Sequence, residues 1–92
     1  MRRKRTQEEI RTLRLKLDKD VRQGYVTLSE GTRRMREITG KTQQEYAQFL
    51  EIAPRTLIDL ERGVGNPQLK TLQKIAKPFG LQIAFVYGAN TK

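Results

Sequence analysis

The chain has no cysteine and no histidine. Without thiols it can form neither a disulfide nor a thiolate zinc site, and without imidazoles most acid–base and metal chemistry loses its usual agents. No catalytic residue, metal site or cofactor is therefore expected, and the chain does not read as an enzyme. No apolar run approaches the roughly 20 residues of a membrane-spanning helix, and no apolar signal core follows the basic N-terminus. A soluble, cytoplasmic protein with no membrane partner is the expectation. Exposed aromatics do not interleave with the basic residues as single-stranded RNA recognition by stacking requires, which weighs against that partner.

What is present is positive charge. The 92 residues carry a formal net charge of +9 and a pI near 10.4, which favours a polyanionic partner. A length of 92 residues is one domain, small enough that dimerisation would help it materially. The charge is uneven, because residues 1–24 hold nine Lys or Arg against four acids. Within that quarter, Arg2, Arg3, Lys4 and Arg5 form an arm without an apolar anchor. Such an arm can follow phosphates or enter a minor groove, or simply aid solubility.

Thr6 and Glu9 are spaced as a capping box, and Ile10, Leu13, Leu17 and Val21 follow at helical intervals, so the spacing predicts an amphipathic helix to about Arg22. Glu8, Glu9, Asp18 and Asp20 dilute its basic face, which favours packing on the domain over lying on a membrane. Thr27 with Glu30 predicts the next helix, closed by Gly40. Its inward face is Leu28, Met35 and Ile38, with Arg33, Arg34, Arg36 and Lys41 outside it. These cations are either a solvated face or contacts to phosphate.

Thr42–Gly63, TQQEYAQFLEIAPRTLIDLERG, is the most informative stretch. Thr42 and Glu45 form a third capping box, and Tyr46, Ala47 and Leu50 share one helical face. After a three-residue break, Glu51-Ile52-Ala53, Pro54 suits the first position of a second helix. Leu57 and Leu60 face inward and Gly63 stops the helix, leaving Arg55, Ile58, Asp59 and Arg62 outside. Two short helices joined by a tight turn, the second with a free outer face, form the pattern of a helix-turn-helix, and double-stranded DNA is the partner it suggests.

Val64-Gly65-Asn66-Pro67 reads as a loop, with Asn66 as N-cap and Pro67 opening a last helix. Leu69, Leu72, Ile75, Ala76 and Phe79 would be its inner stripe. Leu81-Gln82-Ile83-Ala84-Phe85-Val86-Tyr87, bounded by Gly80 and Gly88, reads as a strand. A lone strand has no partner in a helical chain. Pairing with the same strand of a second subunit, through Leu81, Ile83, Phe85, Val86 and Tyr87, gives a homodimer; a loosely packed tail is the alternative.

With Thr42, Gln43, Glu45, Ala47, Leu57, Leu60, Glu61, Gly63, Pro67, Leu72 and Ala76 in their places, residues 28–80 resemble the XRE family, the Cro and phage-repressor type of helix-turn-helix. The resemblance implies an all-α fold. It is a five-helix Cro/repressor-like domain over residues 25–80, with an additional N-terminal helix in residues 1–24 and a C-terminal strand in residues 81–92 that pairs across a dimer. The strand makes the chain similar to HipB-like antitoxins, which bind DNA as dimers. Two functions are implied: a sequence-specific regulator, with repression the expected direction, on an inverted-repeat operator, or an antitoxin that neutralises a HipA-like kinase toxin and autoregulates its operon.

The same resemblance implies that Pro54–Arg62 is the recognition helix, with Pro54, Arg55 and Asp59 at the bases and Thr56 also among its DNA-binding residues. Arg55 would bond guanine O6 and N7, worth roughly 1–3 kcal/mol of discrimination, and Asp59 would orient Arg55, accept from cytosine, or form only a surface i,i+4 pair worth a few tenths of a kcal/mol. Pro54 departs from the polar residues often found there and offers only apolar contact. Gln43, with Thr42 and Gln44, would contact phosphate at a helix N-terminus. Arg62 and the loop to Asn66 would touch phosphates on the other flank. Glu61, an acid beside a polyanion, is assigned to structure.

Overall fold

The computed structural model describes residues 5–87. The arm residues Arg2, Arg3 and Lys4 lie outside the described residues. Among those described, five α-helices follow in order: α1 Gln7–Gln23, α2 Leu28–Thr39, α3 Gln43–Leu50, α4 Pro54–Arg62 and α5 Leu69–Ala76, with a 3-10 turn at Lys77–Phe79. The all-α expectation holds, with one change of count. The N-terminal helix is itself one of the five, where a five-helix domain plus an additional helix was expected.

The helix starts follow the capping chemistry. Thr6 Oγ1 accepts from Glu9 N–H at 3.1 Å while Glu9 Oε1 accepts from Thr6 N–H at 2.9 Å, and Thr42 and Glu45 repeat both bonds at 3.1 and 2.9 Å. Thr27 accepts from Glu30 N–H at 3.1 Å, whereas the Glu30 carboxylate lies beside Arg34 Nη1 at 3.4 Å. Two of four amides that every helix start leaves unpaired are in this way engaged at Thr6 and Thr42.

The core joins all five helices. Leu17 of α1, Met35 and Ile38 of α2, Tyr46, Ala47 and Leu50 of α3, Leu57 and Leu60 of α4, Ile75 of α5 and the terminal Phe79 are buried together. Ala47 is fully buried, which allows α4 to cross α3 closely. Leu17 anchors α1 in this core at 1% exposure. Polar ties reinforce it: Arg14 donates to the Phe79 carbonyl at 3.0 Å with its guanidinium 4.7 Å above the Phe79 ring, and Arg34 pairs with Asp20 at 2.9 Å.

The apolar stripes were read correctly at their centres and too generously at their ends. Ile10, Leu28 and Leu69, expected inward, are 38%, 47% and 57% exposed. Each lies in the first turns of its helix. The start of α5 also differs from expectation, since Asn66 and Pro67 remain in the loop and Gln68 is the N-cap. Its carbonyl accepts from Thr71 and Leu72 N–H at 3.0 and 3.1 Å.

The C-terminal strand is not found. Residues 81–87 carry no regular secondary structure, and no strand is present among the described residues. A strand is stabilised by its ladder, and a single chain that is otherwise helical offers none. Leu81 N–H instead donates to the Ala76 carbonyl at 3.1 Å, and the Leu81 side chain packs on the core. Leu81, Ile83 and Val86 border an apolar groove that α1, α2 and α5 also line. Phe85, Val86 and Tyr87 are 104%, 60% and 89% exposed.

Candidate nucleic-acid interface

The α3–turn–α4 unit is held in shape by its turn. Glu51 adopts a left-handed conformation, φ 61° and ψ 46°, so that its N–H reaches the carbonyls of Ala47 and Gln48. Ile52 N–H also returns to the Ala47 carbonyl, at 3.0 Å. This is a Schellman-type stop made by a residue with a Cβ, at a position where glycine is usual. Lys74 Nζ of α5 donates to the Glu51 carbonyl at 3.1 Å and braces the turn from behind. Ala53 caps α4 without a side-chain bond, and Pro54 takes its first position.

Helix α4 has two faces of different kinds. Leu57, Leu60 and Glu61 are buried, while Arg55 and Arg62 are exposed and Asp59 is half-buried between them. Residues at i, i+4 and i+7 lie on one face, so these three side chains form a charged strip along about 10 Å of helix. Ile58, expected on the outer face, is half-buried.

Glu61 is the hinge of the assembly. Its Oε2 accepts from Arg36 Nε at 2.8 Å and its Oε1 from Arg36 Nη2 at 3.1 Å, with Gln43 Nε2 also donating to Oε1 at 3.1 Å. One carboxylate thus joins α2, the first residue of α3, and α4. Arg36 donates further to the Lys41 carbonyl at 3.1 Å, which ties in the α2–α3 connection. The hydrogen bonds that Arg36 donates to Glu61 outweigh burial and raise the Arg36 pKa above its ordinary value. Tyr46 lies in the field of the same pair; burial first, and the negative charge of Glu61 second, push its pKa up to about 12. Its hydroxyl makes no hydrogen bond among the described residues.

The sequence-derived site residues divide into groups. Arg55, Asp59 and Arg62 share the outer face of α4, with Pro54 exposed and Thr56 half-buried at its start. Gln43, with Thr42 and Gln44, stands at the start of α3, and its bond to Glu61 places it against the last turn of α4. Arg33 reaches the Glu61 carbonyl at 3.5 Å and so also borders that turn. Asn66 is exposed in the α4–α5 loop. Arg34 is drawn to Asp20 and Glu30, Lys41 lies over the Phe49 ring at 5.4 Å, and Arg5 donates to the Glu37 carbonyl.

Arg36 was assigned to the outside of α2 and is instead the clamp's cation. The structural role expected of Glu61 holds, with Arg36 and Gln43 as the partners that the sequence did not name. Arg36 and Glu61 are 25 apart in sequence, and no local spacing rule links them. No group of three or more acidic residues among those described is placed to hold a metal ion. No helix among the described residues is long and apolar enough to cross a membrane.

A family model described as helix-turn-helix matches residues 33–86, which covers α3, the turn, α4 and α5. The chain belongs to this helix-turn-helix family, of XRE type. It is 38% identical over 56 residues to the HTH-type transcriptional regulator DdrOP3 of Deinococcus deserti, a match covering 61% of this chain and 43% of that protein. It is 36% identical over 52 residues to an uncharacterized HTH-type transcriptional regulator of Methanocaldococcus jannaschii, covering 56% of this chain and 79% of that one. The chain therefore spans less than half of the Deinococcus relative. No solved structure matches it.

Proposed function

We propose that this protein is a sequence-specific transcriptional regulator that binds duplex DNA, acts as a homodimer on an inverted-repeat operator, and represses. The observation that carries this is the division of α4: an inner face locked by Leu57, Leu60 and the Glu61 clamp, and an outer strip with Arg55 and Arg62 exposed and Asp59 half-buried between them. A helix so braced can enter a major groove without paying further ordering entropy. Gln43 and Arg33, both tied to Glu61 at the end of α4, would touch backbone phosphates beside it, a reading their position next to that helix supports. Both similar proteins are named transcriptional regulators, which agrees with this reading.

The homodimer draws support from Phe85, Val86 and Tyr87, a contiguous apolar trio that a lone small domain would leave in water. Two recognition helices related by a twofold axis would enter successive major grooves about 34 Å apart. The HipB-like reading rested on a C-terminal strand that is absent among the described residues, and no other observation favours it. Selection of bound sequences from random duplex DNA by the full chain tests the proposal. An inverted repeat with half-sites about one helical turn apart is expected. Recovery of no enriched sequence would sink it.

A further inference from the structure

Arg55 and Asp59 touch: Arg55 Nε lies 3.3 Å from Asp59 Oδ1, with side chains 74% and 27% exposed. A pair this exposed contributes little to folding. Asp59 is, however, constrained from a second direction. Val64 N–H donates to the Asp59 carbonyl at 2.9 Å. Gly65, at φ +87°, passes so close that a Cβ on it would meet Asp59 Cβ at 3.3 Å. The α4–α5 loop therefore lies against one side of Asp59, and the close approach of Gly65 leaves the carboxylate on the side of Arg55.

We propose that Asp59 is the positioning residue that makes Arg55 selective for a single guanine; this rests on the DNA-binding reading above. With Nε beside the Asp59 carboxylate at ion-pair distance, the guanidinium can present its Nη1–Nη2 edge, two parallel donors that match guanine O6 and N7. An unrestrained arginine has many rotamers and can settle on a phosphate or on a lone acceptor of another base. Held by Asp59, it offers one fork in one direction. As docking excludes water, the effective dielectric falls and the pair tightens. The carboxylate also repels phosphates, so Asp59 lowers affinity for DNA in general while raising discrimination at one base pair.

The probes are duplexes recovered by the full chain from a random library, each with the candidate guanine replaced in turn by the other three bases. Replacing Asp59→Ala should reduce the preference for guanine at that position by about tenfold, within the range a bidentate contact provides, and leave affinity for unrelated duplex unchanged or higher. Asp59→Asn, whose amide oxygen can still accept from Nε, should keep most of the preference. Asp59→Ser has too short a reach and serves as a second truncation if the alanine variant does not fold. Preference unchanged in the truncations overturns the proposal, and so does an equal loss of affinity on every sequence. Arg55→Ala separates the two levels of the argument. If it abolishes the preference while Asp59→Ala does not, only the positioning role fails; if it changes nothing, the recognition-helix reading fails as well.

Discussion

Replacing Glu61→Gln removes one charge and almost no volume, which makes it a sharp probe of the clamp. In the wild type the carboxylate accepts three side-chain N–H groups, two from Arg36 and one from Gln43, and is only 4% exposed. The amide would retain one acceptor and turn its NH2 toward donors that also need acceptors. Breaking a buried ion pair by removing one partner costs about 3–5 kcal/mol because the other charge stays buried. The Arg36 side chain is 19% exposed, so some water reaches it and the lower end, about 3 kcal/mol, is the expected loss. For a domain of this size that corresponds to a melting temperature lower by roughly 12–24 °C. Urea unfolding followed by far-ultraviolet circular dichroism at neutral pH measures it directly. A loss below about 1 kcal/mol would refute the reasoning, since that is the cost of an ordinary hydrogen bond rather than of an orphaned buried charge. The double replacement Arg36→Leu with Glu61→Leu should be less destabilised than Glu61→Gln alone, because no charge is then left unpaired.

Tyr46 should give the protein a stability loss in alkali. Its folded pKa of about 12 lies above the ordinary 10.0, so the unfolded chain releases that proton first. Stability is full below about pH 10 and falls by up to roughly 2–3 kcal/mol by about pH 12, and Tyr46→Phe should remove that component of the slope in parallel unfolding curves. At neutral pH the same substitution should stabilise by about 1 kcal/mol, because it deletes a buried hydroxyl that makes no hydrogen bond. Glu51→Gly, at a left-handed turn with φ 61°, should stabilise by roughly 0.5–1 kcal/mol in thermal melts; destabilisation would show that the side chain is needed there. Ending the chain at Gly80 should convert the proposed dimer to a monomer in light scattering, and a dimeric mass kept after truncation would place the contact elsewhere.

Much of the fold was legible because its signals are local. Thr6, Thr27 and Thr42 mark helix starts three residues before an acid, and Gly40 and Gly63 mark stops, through bonds that span only a few residues. The helix-turn-helix was therefore readable as a pattern, including the outward placement of Arg55, Asp59 and Arg62. Periodicity, however, reports which face of a helix is apolar, not how far a neighbour covers it. Ile10, Leu28 and Leu69 satisfy the pattern and remain exposed for that reason. The segment from Leu81 to Tyr87 has the composition of a strand, yet composition supplies no second strand.

The sequence by itself determined where the first four helices begin and end, that charge favours a polyanion, and that α4 turns Arg55 and Arg62 outward. Only the tertiary structure decided which of the arginines are free to meet that partner. Arg36 and Arg34 look alike in the sequence, but packing brings Glu61 to one, and Asp20, with Glu30, to the other, while Arg55 and Arg62 stay at the surface. The physical reason is distance along the chain. A capping bond closes a loop of three residues, whereas the Glu61 clamp joins groups 18 and 25 residues apart and exists only once the core has brought α2, α3 and α4 together.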